Sequence, residues 1–109
     1  MSRILVVDDE RSIRELAMIL LRKEGHDVEL CESGDDAVAR IAEEDFDLVL
    51  TDLKMPGRSG LDVLEAAKRK DPSTQVILMT AFATTDTAVQ AMKQGAADYV
   101  TKPFKVDEL

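Results

Sequence analysis

Residues Leu48 to Gly57 read LVLTDLKMPG, an apolar run that ends in a lone aspartate, Asp52, and a Lys-Met-Pro-Gly turn. A strand that is apolar at successive positions is covered on both faces, as in a parallel sheet flanked by helices. Pro56 presets φ and Gly57 supplies positive φ, so Met55-Pro56-Gly57 suits a turn. A carboxylate at the mouth of such a strand is desolvated and costly unless something there uses it.

Outward from this stretch, apolar runs alternate with amphipathic ones. Ile4 to Val7 is a first strand, closed by Asp8 and Asp9. Arg11 to Glu24 carries Ile13, Leu16, Ala17, Leu20 and Leu21 at helical spacing, and Gly25 stops it. Val28 to Cys31 is a second strand. Ser33 caps a second helix, with Asp36 placed as in a capping box and Ala37, Val38, Ile41 and Ala42 on one face. Phe46 to Thr51 is the third strand. Ser59 caps a third helix with Leu61, Val63, Leu64 and Ala67 facing inward, and Asp71-Pro72 ends it. Val76 to Met79 is a fourth strand, and Thr85 to Gln94 a fourth helix closed by Gly95. Asp98 to Thr101 is a short fifth strand before Pro103, and Val106 to Leu109 begins a fifth helix that is truncated. The alternation predicts an α/β fold over residues 1–109: a flavodoxin-like, doubly wound, five-stranded parallel sheet in the order 2-1-3-4-5.

The bulk properties narrow the function. A chain of 109 residues makes one domain, and 45% hydrophobic with 33% charged residues describes a globular one. A net charge of -8 repels phosphate backbones, so direct nucleic-acid binding is not expected. The single cysteine, Cys31, excludes an internal disulfide framework and fits a reducing cytosol; nothing near it suggests an activated thiolate. No run approaches the ~20 apolar residues of a membrane span. A cytoplasmic domain without membrane contact is therefore expected. His26 reads as an exposed loop residue without a role, and Lys68-Arg69-Lys70 as the solvated end of the third helix.

In the order 2-1-3-4-5 the topological switch lies between strands 1 and 3, and ligands bind there beyond the carboxyl ends. Those ends carry Asp8 and Asp9, Asp52, Thr80 on strand 4, and Lys102 after strand 5. Two carboxylates about 4 Å apart at a surface-like dielectric repel by about 4 kcal/mol. A hard divalent cation relieves this. Mg2+ takes one or two carboxylates, waters and phosphate oxygens, so Asp8, Asp9 and Asp52 are candidate ligands, with the Lys54 backbone carbonyl as a further one. An aspartate can attack phosphorus to give an acyl phosphate. Lys102 could then pair with a phosphate oxygen and Thr80 hydrogen-bond another. Taken singly these residues have ordinary readings, an acid pair as an N-cap and an aspartate as a turn former. Their conjunction at one end of different strands carries the argument. An aspartyl phosphatase would want a second acid two residues after its nucleophile, where Lys54 stands. A flavin-binding protein would want a glycine- and hydroxyl-rich loop after strand 1, where the chain has DDERS, and aromatic residues around the ring, but the chain has no Trp.

With those residues in view, the chain resembles the response-regulator receiver domains of bacterial two-component signalling. The matching segments are VVDDE (Val6 to Glu10), TDLKMPG (Thr51 to Gly57), MTA (Met79 to Ala81) and GAADYVTKPF (Gly95 to Phe104). The resemblance implies that Asp52 is the phosphoacceptor, that Asp8 and Asp9 hold Mg2+ with the Lys54 carbonyl, and that Thr80 and Lys102 contact the phosphoryl group. It implies that Tyr99 is a switch aromatic that follows Thr80. It implies a sensor histidine kinase as donor, docking on Ile13, Arg14, Ala17 and the Pro103 to Lys105 loop, and leaves a homodimer open. The wording MTAFATTDTAVQAMKQGAADYVTKPF (Met79 to Phe104) is similar to receivers of nitrogen-regulatory type transcriptional activators. There the receiver controls an AAA+ ATPase and a DNA-binding output domain, which makes Ala88, Val89 and Met92 a candidate regulated surface. The receiver would be a switch that catalyses only its own phosphorylation and dephosphorylation.

Overall fold

A computed structural model describes residues 2–53, 55, 57–80 and 85–101 of the chain. Its elements run β1 (Arg3–Val7), α1 (Arg11–Lys23), β2 (Asp27–Cys31), α2 (Gly34–Glu43), β3 (Leu48–Asp52), α3 (Gly60–Lys70), β4 (Gln75–Thr80), α4 (Thr85–Lys93) and β5 (Asp98–Thr101). The strands form one parallel sheet in the order β2-β1-β3-β4-β5, as the sequence predicts. The expected fifth helix lies outside the described residues.

Strand alternation sends successive side chains to opposite faces, and each face has its own core. Leu5, Val7, Val49, Val76 and Leu78 pack with Ala37 and Ile41 of α2 and Val63, Leu64 and Ala67 of α3. Ile4, Val6, Leu50, Met79 and Val100 pack on the other face with Ala17 and Leu21 of α1. Burial on both faces explains the unbroken apolar runs of β1 and β3.

Local chemistry sets the element ends. Ser33 Oγ accepts a hydrogen bond from the Asp36 N–H at 3.1 Å and caps α2. At α3 the Ser59 N–H donates to the Asp62 carboxylate at 3.0 Å, the returning half of a capping box. α1 ends in a Schellman motif: His26 N–H donates to Leu21 O, Gly25 N–H donates to Arg22 O, and Gly25 has φ of +88°.

Several local expectations are corrected. β3 starts at Leu48 rather than Phe46; buried Phe46 precedes it, and its carbonyl accepts from the Thr74 hydroxyl at 2.9 Å. The strand extends through Asp52, whose Cα lies opposite Met79. Leu16 is 40% exposed, because it precedes fully buried Ala17 and is turned about 100° from it around the helix. His26 is half-buried and has a structural partner, since its Nδ1 accepts from the Ser2 N–H at 3.2 Å. Lys68 and Lys70 are not merely solvated. Lys68 donates to the carbonyls of Pro72 and Thr74, and Lys70 to those of Ala42 and Glu44, so both close loop and helix ends. Arg69 does sit at the surface, paired with Glu65. Among the described residues no helix is long and apolar enough to cross a membrane.

Candidate functional site at the carboxyl edge of the sheet

β1, β3 and β4 are consecutive in the sheet, so the residues at their carboxyl ends meet along one edge. Val7 lies opposite Thr51. One step further along that register sets Asp8 beside Asp52, on neighbouring strands about 4.8 Å apart. Asp8 is two residues beyond Val6, and Asp52 two beyond Leu50, so both share the α1 face. Both are buried, Asp8 fully and Asp52 to 6% exposure.

Asp8 is fixed from several sides. Its N–H donates to Cys31 O at 3.1 Å. Its Oδ1 accepts from the Glu10 N–H at 2.9 Å, and its carbonyl accepts from Arg14 Nη1 at 2.8 Å. Asp9 and Glu10 are exposed, and single carboxylate oxygens of Asp8, Asp9 and Glu10 lie within 4.8 Å of one another. Glu10, the third acid of VVDDE, thus stands beside the acid pair expected from the sequence.

Asp52 is held through its backbone. The next N–H, of Leu53, donates to Met79 O at 2.8 Å and ties the strand end to β4. α3 then presses against it: a Cβ on Gly60 would lie 2.3 Å from the Asp52 carbonyl oxygen, so only glycine fits there. Thr80, 2% exposed, closes β4 one residue beyond Met79. Thus the structure gathers Asp8, Asp9, Asp52 and Thr80 at one edge. Lys54 and Lys102 lie outside the described residues. Tyr99 stands in β5 opposite Leu78, its side chain undescribed.

Two residues of the expected docking face on α1 are withdrawn from solvent. Ala17 is fully buried, and the Arg14 side chain is 13% exposed. The exposed apolar side chains of α1 are Leu16 and Ile19 instead. On α4, Val89 and Met92 are about half exposed, and the Ala88 side chain is undescribed. Cys31, buried under β1 and α2, has its thiol pushed up to about 11, first by burial and then by the Asp36 carboxylate. It is no activated nucleophile. A groove between α2 and α3, lined by Val38, Ile41, Arg58 and Arg69, contains none of the edge carboxylates.

The donors at the edge are all hard oxygens, several of them withdrawn from water, which suits a small divalent cation. Residues 4–109 match the family described as the response regulator receiver domain. The chain belongs to that family. This receiver is 44% identical over 106 residues to the transcriptional regulatory protein ZraR of Salmonella typhimurium, covering 97% of this chain and 24% of ZraR. It thus spans about a quarter of that relative's length. Among solved structures it superimposes on the response regulator protein TrrA of Thermotoga maritima in complex with Mg2+-BeF, with a TM-score of 0.88, 39% identity, and 99% and 92% of the two chains covered. It also matches NtrX from Brucella abortus in complex with ADP, with a TM-score of 0.89, 37% identity, and 98% and 25% covered.

Proposed function

We propose that residues 1–109 act as a phosphoacceptor switch in which Asp52 takes a phosphoryl group from a histidine of a sensor kinase. The observation that carries this reading is the burial of two acids, Asp8 and Asp52, each one residue beyond the paired Val7 and Thr51 on neighbouring strands at the topological switch point. An Asp52 carboxylate oxygen attacks phosphorus. A P–O bond forms, the P–N bond to the donor imidazole breaks, and the leaving nitrogen takes up a proton. Asp8, Asp9 and Asp52, with the Lys54 carbonyl, would hold Mg2+, which when bound supplies charge neutralisation on the transferring group. The TrrA complex with Mg2+-BeF supports that assignment by likeness. Lys102 pairs with a phosphoryl oxygen as a point charge and the Thr80 hydroxyl donates to another.

Those two contacts are better made in the active conformer than in the inactive one, and that difference is what shifts the two-state equilibrium. Thr80 moves inward, Tyr99 follows, and the α4 face with Val89 and Met92 is repacked. The output is transcriptional, through an AAA+ ATPase and a DNA-binding domain. Likeness to ZraR, a transcriptional regulatory protein, supports a transcriptional output, and the ADP of the NtrX structure supports a nucleotide-binding module. The receiver acts on no substrate other than itself, in the cytoplasm.

The test is intact mass after incubation with a small phosphodonor, with and without Mg2+, alongside Asp52→Asn. One phosphoryl adduct that needs both Mg2+ and Asp52 is expected. An adduct of equal yield in Asp52→Asn would move the acceptor elsewhere.

A further inference from the structure

Arg14 is expected as a docking contact, yet its side chain is only 13% exposed. Its guanidinium reaches back from the first turn of α1 and donates to the Asp8 carbonyl at 2.8 Å. Its backbone N–H donates to the Glu10 carbonyl at 3.2 Å. One residue therefore holds the carbonyls on both sides of Asp9. The second arm of the fork points to Glu32, 3.9 Å away and 80% exposed, where an ion pair contributes little.

The remaining polar groups of the loop are fixed around this anchor. Asp8 N–H is bound to Cys31 O, and Glu10 N–H to Asp8 Oδ1. Single carboxylate oxygens of Asp8, Asp9 and Glu10 lie within 4.8 Å of one another, and like charges that close favour a looser arrangement, which a pinned backbone resists. We propose that Arg14 is a positioning residue that preorganises the Asp8-Asp9-Glu10 loop for a divalent cation, acting through the Asp8 backbone and not through a ligand bond. This inference rests on the cation-assisted reading of the site given above.

Charge and geometry predict opposite signs for its removal. A guanidinium beside a cation site repels the cation, so loss of charge alone tightens binding. Loss of a group that orients ligands typically weakens metal affinity by about 10–100-fold. The experiment is calorimetric titration of the 109-residue chain with magnesium chloride, for wild type, Arg14→Met, Arg14→Lys and Glu32→Gln. Amide exchange at Glu10 is measured without metal, and urea denaturation establishes that each variant is folded. Arg14→Met is expected to bind Mg2+ about tenfold more weakly and to lose protection at the Glu10 N–H. Arg14→Lys keeps the charge on a single-headed, shorter group, so a severalfold loss is expected, and it decides the matter if Arg14→Met does not fold. Glu32→Gln should bind like wild type. Wild-type or tighter binding in the folded Arg14 variants overturns the inference and leaves the receiver chemistry standing. So does an equal loss in Glu32→Gln, which would place the effect in the surface ion pair. A wild type that binds no Mg2+ overturns the cation site itself and this inference with it.

Discussion

Gly60→Ala sets two physical effects against each other. Gly60 is the first residue of α3, and helix propensity alone favours alanine over glycine by up to about 1 kcal/mol. The structure opposes that gain. The new Cβ would lie 2.3 Å from the Asp52 carbonyl oxygen, 2.9 Å from Leu53 Cα and 3.0 Å from the Asp52 carbonyl carbon. All three are backbone atoms, so no side chain can swing aside. Restoring ordinary contact requires a shift of about 1 Å. Overpacking of this kind costs about 1–3 kcal/mol, and a backbone neighbour puts it at the upper end. The net loss is about 2 kcal/mol, equivalent to a drop in Tm of roughly 10 °C for a domain of this size. The displaced group is the backbone of the acceptor itself, and a 1 Å misplacement of a reacting group can lower a rate by about 100-fold. The assays are urea and thermal unfolding and the initial rate of phosphorylation by a small phosphodonor. Unchanged or raised stability would refute the close approach. Reduced stability with a normal rate would show that α3, not Asp52, gives way.

Further outcomes follow from single contacts. Thr74→Val removes the buried hydroxyl donor to Phe46 O and should cost about 1–2 kcal/mol in urea unfolding, with the phosphorylation rate unchanged. The Cys31 thiol, at about 11 in the fold against 9.0 unperturbed, has a raised pKa, so its contribution is full below pH 9 and fades as pH rises through 11. The span of that loss is about 3 kcal/mol, and Cys31→Ala should flatten the alkaline limb of the stability profile. Thr80→Ala should still accept phosphate but respond weakly in amide NMR shifts, and a full wild-type response would remove Thr80 from the switch.

The sheet order and the acidic edge were legible because each rests on a strong local signal. β1 and β3 are apolar on both faces, and Asp8, Asp9 and Asp52 end those runs. What failed depended on rotation or reach. Leu16 fits the apolar spacing of α1 and yet turns to solvent, because periodicity fixes a stripe but not its edges. His26 looked idle because its partner, the Ser2 N–H, is 24 residues away in sequence. Lys68 and Lys70 looked solvated because their acceptors are main-chain carbonyls, which no residue pattern marks. Arg14 was hidden for the same reason: its acceptor is the Asp8 carbonyl.

The lone aspartate that ends β3 has its backbone fixed by the fold before any ligand arrives. The Leu53 N–H on Met79 O and the packing of Gly60 against the Asp52 carbonyl hold the Asp52 backbone in place. Asp8 is held likewise by Cys31, Glu10 and Arg14. Acidic groups whose backbones are fixed cannot move apart freely, and a divalent cation is the natural counter-charge for them. That fixed geometry has a chemical use. Rigid anionic oxygens that cannot spread apart bind a divalent cation without first being ordered, and they hold the acceptor oxygen where a phosphoryl group can reach it. A site of the same residues on a mobile loop would relieve its repulsion by opening, and would lose both properties.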